Sequence, residues 1–381
     1  MNHSNDLNPF SILLLTMKET VVIARCGSYE KGAVEEAIKK VISLSTLKIL
    51  PEKVLFKPNM LSARTPEEGV TTHPAVMEGA IKICSSPQKI MGDSPANVEK
   101  PIDLYWEKCG YKDVSEKTGV PLVKFSNSFL LNISLNGKLI EVPVTEYLNN
   151  FKVFNIAKLK THGLTVITGA LKNLYGLIPG FHKSILHSRF ISPFEFSQFL
   201  IYYYAAIKKY VFFNLIDAVI SMEGDGPSAG KLKHTGYIIG GSDAVAVDMV
   251  CCYLLGIKPV DVPYLKIYGN LYGLPELDII GDDLVPVKSF LVPGIQRSRL
   301  LSSRFMKPFL KFLARYFRAI PIIDPAICKK CYACEKVCPV KAISHDLKFN
   351  RKKCINCLCC FEVCPHKAIR VKKSFIARIF T

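Results

Sequence analysis

Eight of the chain's 14 cysteines fall in two runs near the C-terminus, Cys328-x2-Cys331-x2-Cys334-x3-Cys338-Pro339 and Cys354-x2-Cys357-x2-Cys360-x3-Cys364-Pro365. Three thiolates spaced in this way on a tight loop can reach three irons of one 4Fe–4S cube. The fourth, beside proline, is turned away from its own run. The two runs repeat with a period of 26 residues, and Lys-Ala-Ile follows each at the same offset, at 341–343 and 367–369. Paired Cys-x2-Cys knuckles also bind structural zinc, but the doubled run with its proline is not zinc-ribbon spacing. The runs therefore read as iron–sulfur ligands.

A second set of residues could move protons and hold an anion. Imidazole titrates near neutrality, so histidine exchanges protons at low cost. His162, His182 and His187 flank one glycine-containing stretch, with His73 farther off. Lys172 and Lys183 add positive charge that suits a carboxylate or phosphate. The expectation is one cleft for a small anionic substrate, with protons coming from His162 or His73. Lys158 and Lys160 read as a solvated loop, and Asn173 as a turn residue or a substrate hydrogen-bonder. Glu223, Asp225 and Asp217 cluster around Gly224 and Gly226, which fits either a bound cation or a tight turn. Asp243 reads as a helix cap and Asp248 as its surface decoration.

These residues need elements to position them. Residues 20–24, 53–56, 89–91, 152–157, 211–220 and 237–239 are short apolar or β-branched runs, read as strands. Residues 31–43, 72–84, 196–210 and 244–255 carry helical apolar stripes. Strands alternating with helices predict an α/β fold, a mostly parallel sheet flanked by helices. In such a sheet ligands gather at the C-terminal strand ends. The expected organisation is a disordered extension over 1–16, an α/β domain over 17–288, a basic amphipathic connector over 289–320 and a small α+β module over 321–381.

The cysteine runs resemble those of bacterial-type ferredoxins with two 4Fe–4S clusters. The resemblance implies that Cys328, Cys331, Cys334 and Cys364 hold one cluster, and Cys338, Cys354, Cys357 and Cys360 the other. It implies single-electron transfer with a redox protein partner. Upstream, Lys57-Pro58-Asn59, Thr71-Thr72-His73-Pro74, Gly92-Asp93-Ser94-Pro95, residues 158–163, residues 168–173 and residues 221–227 together resemble the family called domain of unknown function 362, in the form that carries an appended ferredoxin. This likeness runs from about residue 18 onward and is most specific over 155–187. The segment from His162 to His187 also resembles the nickel-pincer lactate racemases. That likeness implies Lys172 as an anchor and His187 as a metal ligand for an additional metal or pincer-type cofactor. The racemases' double glycine and arginine before the lysine are here Gly169-Ala170-Leu171.

Composition narrows the setting. The net charge is +18, and residues 289–323 hold seven Lys/Arg and no acid. The apolar and basic residues of 296–319 fit an amphipathic helix on anionic lipid or a connector packed on the α/β domain, with Pro308 interrupting it. Six cysteines outside the ligand spacing (Cys26, Cys84, Cys109, Cys251, Cys252 and Cys359) form no disulfide framework. Free thiols beside clusters point to a reducing, cytoplasmic setting. No run of 18 charge-free apolar residues is long enough for a membrane span. Contact with an anionic membrane is expected to be peripheral. The basic stretches hold no nucleic-acid reading motif, so nucleic acid is not an expected partner. The reading is an iron–sulfur oxidoreductase, with a non-enzymatic electron carrier or assembly factor as its alternative.

Overall fold

The computed structural model describes residues 18–95, 101–190, 192–292 and 320–372. The 1–16 extension, nearly all of the 289–320 connector and the end of the basic tail lie outside the described residues. In chain order the larger body runs β1 (Lys18–Arg25), α1 (Lys31–Leu44), β2 (Lys53–Lys57), α2 (Pro74–Ile83), β3 (Gln88–Met91), α3 (Ile102–Lys108), α4 (Tyr111–Thr118), β4 (Ser128–Leu135), β5 (Lys138–Thr145) and β6 (Lys152–His162). It continues through β7 (Val166–Thr168), α5 (Ala170–Asn173), α6 (His182–Arg189), α7 (Pro193–Ile207), β8 (Val211–Glu223), β9 (Lys231–Gly241), α8 (Ala244–Leu254), α9 (Pro263–Tyr272) and β10 (Glu276–Gly281).

One sheet orders these strands β10-β1-β9-β8-β6-β2-β3, with β7 folded back on β6. The pairs β10–β1, β8–β6, β6–β2 and β2–β3 are parallel. β9 runs against both of its neighbours. Side chains alternate across the sheet as strand geometry requires. Val21, Ile23, Leu55, Val153 and Ile216 face a core shared with α5, α7, α8 and α9. Val22, Val54, Phe56, Phe154 and Leu215 face a second core under α1, α2, α3 and α4. Burying each such side chain is worth roughly 1.5–3 kcal/mol.

Local signals set the helix ends. Asp243 caps α8 by accepting from Val245 N and Ala246 N at 2.8 and 2.9 Å. Ser192 and Glu195 form a capping box ahead of α7, with Pro193 at its first position. β4 and β5 are joined by Asn136-Gly137, both with positive φ, the turn that matches strand twist.

The C-terminal module runs β11 (Ile320–Ile323), α10 (Ala333–Val337), α11 (Cys359–Val363) and β12 (Ile369–Lys372), with β11 antiparallel to β12. Its backbone repeats with its sequence. Lys330, Tyr332 and Lys341 take left-handed conformations, and so do Asn356, Leu358 and Lys367, each 26 positions on. Ala342 N donates to Cys338 Sγ at 3.2 Å, and Ala368 N to Cys364 Sγ at 3.3 Å. The architecture is the expected one: a mostly parallel, helix-flanked sheet followed by a small ferredoxin-like region.

Candidate functional site

Cys328, Cys331, Cys334 and Cys364 line one cavity of the module. Burial pushes the Cys334 thiol up to about 11, with Cys364 and Cys331 adding to it. Cys360 is raised by burial and then by Cys357, Cys334, Cys354 and Cys338 around it. Among the described residues no three His, Cys, Asp or Glu side chains converge tightly enough for a single ion. The thiols surround a volume instead, and iron would relieve their crowding by taking them as thiolates. This donor set fits 4Fe–4S clusters.

The module docks on the loop after β2, the C-terminal end of β6 and the β8–β9 loop. Buried Arg64 pairs with Glu68 at 2.6 Å and donates to the Cys364 carbonyl at 2.7 Å. Ser228 Oγ contacts the Phe361 carbonyl at 3.4 Å. Between the two bodies lies a cavity of about 80 Å³. Lys57, Asp93, Ser94, Thr168, Lys172, Lys183 and His187 line it from the sheet side, and Val337, Cys359, Glu362 and Val363 from the module.

Several lining groups are positioned by named partners. Lys57 ends β2 and pairs with Asp93 at 2.8 Å, both buried. A Cβ at Gly176 would meet the Lys57 ammonium and Asp93 carboxylate at 2.4 Å, so only glycine lets this turn close over the pair. Lys172 rides on α5. Asp248 caps that short helix from α8, accepting from Ala170 N at 2.6 Å, Leu171 N at 3.1 Å and Tyr264 OH at 2.9 Å. Behind α5, Asn173 donates to Asn155 Oδ1 at 2.8 Å, and Asn155 donates to Asn214 Oδ1 at 2.8 Å. This amide chain ties α5 to β6 and β8.

His162 ends β6. Its Nδ1 accepts from Leu164 N at 3.1 Å, so the single proton of the neutral ring sits on Nε2. Nε2 lies 2.9 Å from Glu362 Oε1, off the axis of a well-aligned hydrogen bond. Burial, then the charge of Lys172, pulls His162 down to about 4 against the pull of Glu362. Burial raises Glu362, but His162, Lys172 and His187 outweigh it and hold the carboxyl at about 2. The contact is therefore a neutral imidazole facing a carboxylate. His187 stacks on Phe196 at 4.2 Å and meets the Tyr175 ring edge-on at 5.4 Å.

Residues 54–253, just over half of the chain, match the family described as a domain of unknown function (DUF362). The chain belongs to the DUF362 family. Residues 321–344 and 347–370 match the 4Fe–4S binding domain, so the module following the DUF362 body binds iron–sulfur. A thylakoid-associated protein of Synechocystis sp. (strain ATCC 27184 / PCC 6803 / Kazusa) is 25% identical over 271 residues, spanning 67% of this chain and 80% of its own. A solved structure from Thermotoga maritima is 14% identical and aligns over 56% of each chain with a TM-score of 0.36. No described helix is long and apolar enough to cross a membrane.

Within the DUF362 body the histidines do not form one cleft. His162 and His187 approach the same carboxylate, Glu362. His182 is exposed. His73 lies elsewhere: it caps α2 by accepting from Ala75 N at 3.2 Å and stacks on Tyr29 at 3.7 Å. Lys158 and Lys160 are not solvated loop residues but buried groups of β6. Lys158 pairs with Asp217 at 3.0 Å, and Lys160 donates to Asn59 Oδ1 at 2.7 Å. Asp248 is fully buried, not a surface decoration. The three acids also part company. Asp217 faces Lys158, while Glu223 accepts from Leu291 N at 3.0 Å and sits 3.6 Å from Lys233. Glu362 escaped sequence reasoning, because nothing local marks a glutamate between two ligand cysteines as a wall of another domain's cavity.

Acid should loosen this DUF362 interface. Burial pulls His187 from 6.5 down to about 3. Below the unfolded value the unfolded chain takes up a proton that the native ring refuses. Stability is thus full above about pH 6.5 and falls by roughly 1.4 kcal/mol per unit below it. At pH 5 His187 alone should cost about 2 kcal/mol. Unfolding by denaturant at pH 7 and pH 5 checks this, and His187→Phe should show a shallower acid loss than the parent.

Proposed function

We propose that this protein is an iron–sulfur oxidoreductase in which two 4Fe–4S clusters relay single electrons to a small anion held between the DUF362 body and the module. One observation carries the reading. The helix α11 holds the cluster cysteine Cys360 and runs into Cys364, and the same helix walls the cavity with Cys359, Glu362 and Val363. A group bound there lies one side chain away from the cluster-binding backbone. Lys172 and Lys183 supply positive charge for the anion, and neutral His162, behind the lining, holds a proton on Nε2 facing Glu362, through which it would exchange. His73 takes no part, since it lies at the Tyr29 stack. The clusters supply the electrons when bound. The electron donor or acceptor is a redox protein partner.

Lys172 and His187 both reach the cavity, so an additional metal or pincer-type cofactor would be held there. Anaerobic metal analysis decides it: about eight irons and no nickel leave the cavity to substrate alone. The relay itself is tested by reducing the reconstituted protein and following its reoxidation with small carboxylates. A compound that speeds reoxidation of the parent should lose its effect in Cys354→Ala, which lacks a ligand of the second cluster. Equal rates in both proteins sink the relay.

A second reading is peripheral attachment to an anionic membrane, as an electron carrier or assembly factor. It is supported by the name of the thylakoid-associated relative, by the basic 289–320 stretch, and by exposed Phe181, Ile185 and Phe194. Salt-sensitive co-sedimentation with anionic vesicles is its expected signature.

A further inference from the structure

We propose that the cavity takes a monoanion, that Glu362 sets this charge limit, and that Thr168 and His187 are the ligand's direct contacts. The inference rests on reading the cavity as an anion site. Lys57, Lys172 and Lys183 line the space against Asp93 and Glu362. Lys57 and Asp93 satisfy each other at 2.8 Å. Two lysines then face one carboxylate; Lys183 also donates to the Ser94 carbonyl and burial pulls it down to about 7, so below pH 7, with both lysines protonated, one positive charge is left to be met. A second negative charge on the ligand would be buried without compensation, the arrangement proteins avoid most strongly. Lys160, behind the lining, is engaged by Asn59 and the Val70 carbonyl.

Two polar atoms mark where the ligand touches. Thr168 Oγ1 and His187 Nδ1 are buried and have no hydrogen-bond partner among the described residues. Their residues are 2% and 5% exposed, and both line the cavity. A buried polar atom left unmet costs about 1–3 kcal/mol, so such atoms are normally satisfied by a ligand or ordered water. A small monocarboxylate meets this set. Its oxygens accept from the Lys172 ammonium, the Thr168 hydroxyl and an imidazole N–H of His187. The cavity's size, about 80 Å³, admits only a small member of the class.

Glu362 belongs to the module, so the charge limit exists only while the module is docked. Calorimetric titration of oxidised, cluster-loaded protein at fixed ionic strength tests this, with acetate and oxalate as probes. Acetate should bind saturably, and oxalate at least about tenfold more weakly. Glu362→Gln should remove or invert that preference. Thr168→Val should weaken acetate about tenfold at unchanged iron content. The proposal is overturned by absent acetate saturation, by oxalate preferred in the parent, or by an acetate-to-oxalate ratio unchanged in Glu362→Gln. No reductant is present, so a failed electron relay leaves this outcome independent.

Discussion

Replacing Asp217 with alanine should cost about 3–5 kcal/mol of stability, the usual penalty for breaking a buried ion pair from one side. Asp217 is fully buried, and both of its oxygens are committed. Oδ1 accepts from Tyr29 OH at 2.8 Å, while Oδ2 accepts from Lys158 Nζ at 3.0 Å and His73 N at 2.9 Å. Without it Lys158 is left inside the protein with no counter-charge. Burial already lowers the Lys158 pKa, and Asp217 is what opposes that pull. In the variant the native lysine should shed its proton while the unfolded one keeps it. The unfolded state then binds more protons, so the variant should regain stability as the pH rises toward the ordinary lysine value of about 10.4. Denaturant unfolding at pH 7 and pH 9 measures both effects. Pairing Asp217→Leu with Lys158→Met should recover most of the loss, since apolar replacements of a whole buried pair are often neutral. A single-variant loss under about 1 kcal/mol would mean that the pair behaves like a surface one.

The second large effect is expected at Gly169. A Cβ there would lie 2.0 Å from Asp248 Oδ1 and 2.6 Å from its Cγ, a carboxylate held by three hydrogen bonds. The backbone has φ −130, so the constraint is proximity and not handedness. Gly169→Ala should push Asp248 off Ala170 N and Leu171 N, uncap α5 and move Lys172. Overpacking and lost hydrogen bonds together should cost about 3 kcal/mol or more. Gly27→Ala is the control: nothing lies within 4 Å of its added Cβ, and its change should stay within about 0.5 kcal/mol. Thermal unfolding of the two variants side by side gives the comparison, and equal stabilities would refute the packing argument.

Sequence patterning reached some of these features and missed others for identifiable reasons. The cysteine runs are local: ligand, spacing and repeat all sit within 37 residues, Cys328 to Cys364, and their left-handed backbone positions recur at the same period. The strand and helix cores were legible because alternation and helical stripes are short-range signals. β6 runs longer than its apolar stretch, because buried Lys158 and Lys160 interrupt the pattern while the hydrogen-bonded ladder continues, and β9 begins at Lys231 in a polar stretch paired with the end of β8. The β4–β5 hairpin was missed although Asn136-Gly137 announced it. Buried charge is the residue class that patterning cannot place. Lys158 looks solvated until Asp217 arrives from another strand, and Glu362 looks like surface until the module folds onto His162. The histidine grouping failed in the same way: His73 caps α2 against Tyr29, whereas His162 faces Glu362 of the module.

The double duty of α11 carries a practical corollary. With Cys360 and Cys364 as the proposed cluster ligands, air that strips their iron would also slacken the wall bearing Glu362. Oxygen exposure during purification would then erase the proposed ligand recognition along with colour. Screens run on bleached material would return false negatives for every compound tried, and the brown preparation is the one to assay.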